Sequence, residues 1–246
     1  MDLIEVNNRG YRGVNMNKVI IEFFHDVICS FCFPMSYRMR QLQKIMPEAQ
    51  IVHRSYALVE SERDFDMMFG SRAAAKTEIM SHWEHANQND DLHRFNISGM
   101  QQAGFPFPSS MKGLIACKAA YFTAGEAGYW DVFDALQNAL FVQSRNIEEQ
   151  VVIDDCIRES GIDFAKWERH NNRRETKAAV ERDFLLAKQY NIRGVPCLII
   201  DGKQQINGAQ PLFKIIQLIS NIVESQEQTP TTGASCQLVD GKIVCE

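Results

Sequence analysis

The sequence lacks three features that would place it in whole classes of protein. It has no apolar run long enough to cross a membrane, and residues 1–17 lack the apolar core of a signal peptide. It also has no basic stripe, since 26 Lys and Arg against 31 Asp and Glu give a formal net charge of −5. We therefore expect a cytoplasmic protein with neither a membrane nor a nucleic acid as partner.

The sequence contains one C-x-x-C motif, Cys29-Ser30-Phe31-Cys32, and no second one. Zinc takes four ligands, usually from two such pairs at matching spacing. The odd number of cysteines, seven, argues against a framework of structural disulfides in a reducing compartment. These absences favour a redox pair over half of a zinc site. The seven are Cys29, Cys32, Cys117, Cys156, Cys197, Cys236 and Cys245.

The position of the C-x-x-C motif indicates what its two thiols do. The apolar run at 19–24 predicts a buried strand before the motif, and residues 35–42 predict a helix after it. The first thiol then lies at a helix N-terminus, where unpaired N–H groups and the helix dipole favour a thiolate. The second thiol lies one turn further on, so the pair can alternate between dithiol and disulfide.

The remaining pattern predicts an α/β protein in which a block of helices interrupts a small mixed sheet. A strand, a helix and a parallel strand come first, and a β-hairpin with a final helix comes last. The predicted outer elements are strand 18–25, helix 30–46, strand 50–58, a hairpin at 197–206 and helix 212–224. The predicted block comprises helices near 64–88, 109–125, 128–143, 148–160, 163–170 and 172–190, with an irregular segment around Gly99 and Gly104.

These elements divide the chain into four parts. We expect an N-terminal arm, a divided sheet domain, an all-helical insertion, and a flexible linker leading to a tail hairpin that contains two cysteines. Met16 is an alternative start to Met1, because the first strand begins only two residues after it. The boundaries are 1–17 for the arm, 18–60 and 191–225 for the sheet domain, 61–190 for the insertion and 226–246 for the tail.

Three motifs in order resemble the thioredoxin fold with a large helical insertion, as in the DsbA family. They are the C-x-x-C at 29–32, Gly194-Val195-Pro196 before the hairpin, and Gly208-Ala209-Gln210-Pro211 before the last helix. Together they look like the cytoplasmic FrnE-type branch, over about residues 18–224. The dipeptide Ser30-Phe31 departs from the Pro-Trp that is frequent in FrnE-like relatives, which bears on the redox potential.

The resemblance implies a thiol–disulfide oxidoreductase or isomerase that acts on protein thiols and disulfides. Cys29 would be the nucleophile, and Cys32 would resolve the mixed disulfide that Cys29 forms with a substrate. Pro196 would be cis and lie beside the sulfurs, leaving the Val195 backbone to pair with substrate backbone. We expect no metal and no bound cofactor, and consider glutathione as a redox partner.

Three polar residues near the motif are candidates for tuning these thiols. His25 and Asp26 lie within four residues of Cys29, and either could move a proton, although a solvated loop pair is the alternative. Glu22 interrupts the apolar strand, where thioredoxin-like proteins often bury a carboxylate beneath the cysteines. A register shift of one residue would turn Glu22 to the other face of the sheet.

The tail is predicted to form a small hairpin. Asp240-Gly241 is a two-residue turn signal, and counting outwards from it sets Cys236 opposite Cys245 at a separation that a disulfide accepts. The resemblance to FrnE-like proteins implies an accessory redox pair that exchanges with the active site. A stabilising staple or a disordered end is the alternative.

Other cysteines and histidines are expected to have no redox or metal function. Cys117 and Cys156 read as buried inert thiols on helices, and Cys197 as a strand residue that points into the core. His82 and His85 lie on one helical face, but two histidines on a charged helix are more often solvated than metal-bound.

Two rival functions stay open from the sequence. The first is a glutathione-dependent transferase or isomerase of the kappa or hydroxychromene-carboxylate isomerase type. Those families share the fold but place a serine at the position of Cys29, which argues against them. The second is a zinc-stabilised adaptor in which four cysteines, Cys29, Cys32, Cys236 and Cys245, share one ion.

Overall fold

The computed structural model describes residues 19–227 and the backbone of two tail segments, 236–239 and 242–245, with side chains described as far as Ile222. The predicted arm at 1–17, including the alternative start at Met16, lies outside these residues. One sheet contains β1 (Ile20–His25), β2 (Gln50–Ser55), β3 (Cys197–Ile200) and β4 (Gln204–Asn207), in the order β2-β1-β3-β4. β1 runs parallel to β2 and antiparallel to β3. This is the mixed sheet that the sequence predicts.

Nine helices accompany the sheet in the described residues. α1 joins β1 to β2, α2 to α8 all lie between β2 and β3, and α9 follows β4. They are α1 (Cys32–Ile45), α2 (Glu62–Phe69), α3 (Arg72–Asn89), α4 (Ile97–Gln102), α5 (Met111–Phe141), α6 (Gln150–Glu159), α7 (Phe164–Asn171), α8 (Arg174–Gln189) and α9 (Leu212–Glu227). None of these helices is both long enough and apolar enough to cross a membrane.

The alternation of β1 side chains divides the core. Ile21 and Phe23 belong to the large core, which α1, α5 and α9 also build. Phe24 points the other way, into a small core with Cys197 and Ala187 at the end of α8. Successive strand residues point to opposite faces of the sheet. Each polar residue of β1 therefore also faces either the large core or the small core.

Two details of the helical block differ from the sequence prediction. The helix predicted over 64–88 is two helices, because Gly70 has a left-handed φ of 74° that ends α2. Ser71 then accepts a hydrogen bond from the Ala74 N–H and caps α3. α4 occupies part of the segment predicted as irregular. The division between the helices predicted over 109–125 and 128–143 is confirmed, because α5 is interrupted by non-helical backbone angles at Ala124 and at Gly125, whose φ is 69°.

The tail pairs in the predicted register. β5 (Cys236–Val239) and β6 (Lys242–Cys245) are antiparallel, with Cys236 opposite Cys245. Their side chains lie outside the described part of the chain, so the disulfide between them stays a prediction.

Candidate active site

Cys29 lies in the short connection between β1 and α1, against the first turn of the helix. Its N–H donates to the Asp26 carbonyl at 3.2 Å, which closes a turn after β1. The Cys32 N–H, at the start of α1, donates to Cys29 Sγ at 3.2 Å. The same N–H also donates to the Cys29 carbonyl at 3.0 Å, so the first turn of α1 shares this donor between the carbonyl and the sulfur.

Cys32 lies deeper than Cys29. Its side chain is fully buried, and both cysteines are free thiols. Burial raises the pKa of the Cys32 thiol well above its ordinary value, and the adjoining Cys29 raises it further. A backbone hydrogen bond from Asp26 lowers this pKa, and the charge of the Asp26 carboxylate raises it. The surroundings of Cys32 therefore favour its protonated form.

The segment before β3 completes the surroundings of Cys29. The Val195–Pro196 peptide bond is cis, as the resemblance implies. The Val195 carbonyl accepts a hydrogen bond from Cys29 Sγ at 3.5 Å, across 166 positions of sequence. Val195 and Cys29 are thus in direct contact.

Asp26 is the carboxylate beside the cysteines. It is fully buried and accepts hydrogen bonds from the Leu58 N–H at 2.7 Å, Ser110 Oγ at 2.6 Å and the Ile28 N–H at 3.3 Å. Burial raises its pKa from 3.8 to about 6, although these hydrogen bonds favour the ionised form. No cation of the described chain forms an ion pair with it. Asp26 is therefore a carboxyl group that exchanges a proton near neutral pH.

Glu22 does not lie beneath the sulfurs, so that interpretation is wrong. It shares the face of β1 that points to α8, where it accepts hydrogen bonds from Arg54 Nε at 2.7 Å and the Tyr190 hydroxyl at 2.8 Å. The one-residue alternation of a strand turns Glu22 away from Phe23 and the large core.

His25 is buried rather than solvated, and Asp26 likewise, so the alternative of a solvated loop pair is wrong. The His25 ring lies 3.9 Å from that of Phe133 and 5.3 Å from that of His53 between centroids. Neither ring nitrogen has a hydrogen-bond partner among the described residues. Burial lowers the pKa of His25 well below its ordinary value, which keeps it neutral. Its described contacts are aromatic and lie on the side of α5.

The two residues between the motif cysteines and the remaining described cysteines lie where the sequence predicts no separate redox site. Ser30 and Phe31 are half-buried between the two cysteines, and Phe31 precedes the first residue of α1. Cys197 points into the small core, where burial raises its pKa to about 11. Cys117 and Cys156 are buried too, and burial raises their thiol pKa values. Over residues 19–222, no three His, Cys, Asp or Glu side chains are arranged to hold a metal ion.

Ser110 and Leu58 are site residues that the sequence does not reveal. Ser110 lies at the start of α5, 84 positions from the Asp26 that it contacts, and Leu58 follows β2. Each holds the carboxylate through a single hydroxyl or backbone N–H, groups that occur throughout any chain. Only the fold that packs α5 and β2 around Asp26 distinguishes them.

Solved structures of similar fold were found by comparison. A structure from Nitrosomonas europaea superposes with a TM-score of 0.68 at 16% identity, covering 85% of this chain and 99% of that one. The cytosolic disulfide reductase DsbM from Pseudomonas aeruginosa, also solved with GSH, gives 0.63 at 14% identity, covering 85% and 97%. A 2-hydroxychromene-2-carboxylate isomerase gives 0.61 at 14% identity, covering 86% and 100%.

At these identities the structural likeness shows the fold alone. No curated protein matches the chain. A family model, that of the DSBA-like thioredoxin domain, matches residues 20–220. The thioredoxin-like sheet, the paired thiols and this match lead to one conclusion: the chain belongs to the DSBA-like thioredoxin domain family.

Proposed function

We propose that this protein is a thiol–disulfide oxidoreductase acting on protein disulfides, with Cys29 as nucleophile and Cys32 as resolving thiol. One observation supports the proposal above the others. Cys29 Sγ is held between the Cys32 N–H and the Val195 carbonyl, with the second free thiol beside it. A transferase needs one activated group in this cleft, whereas a pair of adjacent thiols serves two-electron exchange.

In the first step, the Cys29 thiolate attacks one sulfur of a substrate disulfide. A bond forms between Cys29 Sγ and that sulfur while the substrate disulfide breaks, and the departing substrate thiolate takes a proton from water. The Cys32 N–H that stabilises the Cys29 thiolate loses its charged acceptor as the bond forms. The product is a mixed disulfide with the Val195 backbone alongside the bound substrate.

In the second step, Cys32 gives its proton to Asp26 and attacks Cys29 Sγ. The bond between Cys29 and the substrate breaks, the second substrate sulfur leaves as a thiolate, and it takes up a proton. The enzyme then holds a Cys29–Cys32 disulfide, and the substrate has gained two electrons and two protons. The same steps in reverse oxidise a substrate dithiol.

Asp26 has the environment that this proton transfer needs. The Cys32 thiol is buried and holds its proton tightly, while Asp26 beside it exchanges a proton at a pH of about 6. When Asp26 takes the proton, its negative charge no longer opposes the developing Cys32 thiolate. The transfer runs directly or through one water, the two routes open to a general base.

The location and partners of the protein are part of the same proposal. We place it in the cytoplasm, with a thiol such as glutathione to restore the Cys29–Cys32 pair. DsbM supports both points, being a cytosolic disulfide reductase whose structure is also known with GSH. The tail cysteines are proposed as an accessory redox pair, supported by the register that sets Cys236 opposite Cys245.

The test of the function compares cysteine variants in insulin reduction and in refolding of scrambled ribonuclease. We expect Cys29→Ser to abolish both activities, and Cys32→Ser to accumulate a mixed disulfide on Cys29. Cys156→Ala, at a buried thiol on α6, is the matched control and should retain activity. Glutathione-dependent turnover of a small electrophile that survives Cys32→Ser, without any disulfide exchange, would favour the transferase instead.

The tail is tested separately. In the Cys236→Ser/Cys245→Ser double variant, a relay predicts a slower reaction with the recycling thiol, while the Cys29–Cys32 pair still reacts once with substrate. Unchanged turnover would reduce the tail pair to a structural element without affecting the assignment of Cys29 and Cys32.

A further inference from the structure

A polar cavity lies directly beside the segment that contacts Cys29. Its volume is about 570 Å³, and Val195 and Pro196 form part of its wall. The other wall residues come from the end of α8, the connection to β3, and β4 with the turn after it. They are Asn191, Arg193, Gly194, Gln205, Asn207 and Gly208. We call this space the Arg193 cavity, after the charged residue among these described wall residues.

Arg193 has no acidic partner in the part of the chain that the structure describes. Its side chain is exposed, and it forms no ion pair or hydrogen bond there. None of the described residues that line the Arg193 cavity is acidic. Arg54 and Arg38 illustrate the contrast, since each is paired with a carboxylate, Glu22 and Asp91 respectively. An uncompensated positive charge beside the reacting sulfur, in a chain of net charge −5, favours a negatively charged ligand.

Asn207, another wall residue of the cavity, supplies a neutral donor. Gln205 Nε2 donates to Asn207 Oδ1 at 2.7 Å, which fixes the Asn207 amide with its nitrogen left to donate elsewhere. Asn207 pairs with Cys197, the residue that follows Pro196, so this donor lies at the same end of the sheet. A guanidinium with an amide N–H in the wall of a polar cavity is a donor set suited to a carboxylate.

We propose that the Arg193 cavity binds a carboxylate of the disulfide substrate, and that Arg193 thereby selects substrates with an acidic group near the reacting cysteine. Cys29 Sγ lies 3.5 Å from the Val195 carbonyl, and the two residues from Val195 to Arg193 span at most about 7 Å. The Arg193 backbone thus lies within about 10 Å of the reacting sulfur, the length of about three extended residues. An acidic residue of a protein substrate and a carboxylate of glutathione disulfide share this chemistry.

This inference rests on the proposed disulfide exchange, and its test measures selectivity rather than activity alone. Two peptides with the same internal disulfide are reduced, one with Glu and one with Lys at the positions flanking its cysteines, and glutathione disulfide is the third substrate. The variants are Arg193→Gln and Arg193→Glu. Arg169→Gln, at an exposed arginine of α7 without an ion pair in the described chain, is the matched control.

We expect Arg193→Glu to lower the ratio of kcat/KM between the Glu and Lys peptides by about tenfold, and Arg193→Gln by less, because a charge-assisted hydrogen bond is lost. The wild-type ratio should fall as salt screens an exposed charge. Arg169→Gln should keep the wild-type ratio. A loss in kcat/KM confined to glutathione disulfide, or to the Glu peptide, would support the site and identify the source of the carboxylate.

Two failures are distinguishable. If the wild-type protein reduces the peptides and glutathione disulfide but Arg193→Glu changes neither the peptide ratio nor the glutathione rate, the Arg193 inference is wrong and the oxidoreductase stands. If the wild-type protein exchanges with none of the three disulfides, the proposed function itself is wrong.

Discussion

Two buried carboxylates four residues apart, Glu22 and Asp26, have opposite surroundings. Glu22 lies on the α8 face of β1 and is paired with Arg54 at 2.6 Å and with the Tyr190 hydroxyl. Asp26 follows the same strand on the side of the cysteines, and its donors among the described residues are neutral, those of Leu58, Ser110, Ile28 and Val27. Both side chains are removed from water, yet only one of them has a cation to balance its charge.

The two environments give the two carboxyl groups different roles, one in stabilising the fold and the other in proton exchange. Glu22 forms an ion pair with Arg54, and a neutral side chain at this position would remove that pair. A carboxylate without a cation retains its charge only through hydrogen bonds, so its protonation is finely balanced and its pKa reaches about 6. On this comparison, Glu22 stabilises the sheet and Asp26 exchanges protons with Cys32.

The largest expected effect concerns the rate at which Cys32 resolves the mixed disulfide. Asp26→Asn should slow this step about 100-fold or more, since general bases typically contribute that much. Glu22→Gln is the matched control, with the same loss of one buried charge, and should leave the rate within about twofold. Quenched-flow trapping of the mixed disulfide measures the step directly, and equal slowing by both variants would remove the distinction between the two acids.

The next effect is the dependence of stability on pH. The pKa of Asp26 is about 6 in the folded protein against 3.8 in the unfolded chain. The folded protein therefore binds more protons between these values, and the free energy of unfolding falls as pH rises through about 4 to 6. Relative to Asp26→Asn, the wild type should lose up to about 3 kcal/mol across this window.

Chemical denaturation at intervals of pH measures this loss. Glu22→Gln should reproduce the wild-type decline between about pH 4 and 6, because Asp26 is intact in it. A decline that persists unchanged in Asp26→Asn would mean that another group is responsible.

A smaller effect is expected from the hydroxyl that holds Asp26. Ser110 Oγ donates to Asp26 Oδ2, and this bond lowers the pKa of the carboxyl group. Ser110→Ala should raise that pKa further and move the pH midpoint of the Cys32 step upwards by about one unit. The midpoint is read from the pH profile of resolution, and a shift towards acid would contradict the role given to the hydroxyl.

Local patterns of sequence predict the parts of this site that depend on spacing. The C-x-x-C between strand and helix, the apolar alternation of β1, and the turn that sets Cys236 opposite Cys245 are all of this kind. The prediction that Glu22 is the carboxylate beneath the cysteines fails for a physical reason. Neighbouring strand residues face opposite sides of the sheet, so an error of one residue in the register places a side chain on the wrong side.

Contacts across long stretches of chain could not be read in the same way. Ser110 reaches Asp26 across 84 positions, and a serine gives no sign of its partner. Val195 reaches Cys29 across 166 positions, and only the resemblance to the thioredoxin fold predicts that the two lie together. The break at Gly70 was likewise hidden, because a glycine within an apolar helical pattern is compatible both with a continuous helix and with a left-handed cap.

The most direct test of the account is the pH dependence of the second thiolate release. Reduced protein mixed with an excess of a chromogenic aromatic disulfide releases one aromatic thiolate when Cys29 attacks and a second when Cys32 resolves the mixed disulfide. Cys32→Ser identifies the second phase by removing it. The account predicts that the rate of this phase rises with a midpoint near pH 6, and that Asp26→Asn loses this rise. An identical profile in the wild type and Asp26→Asn would contradict it.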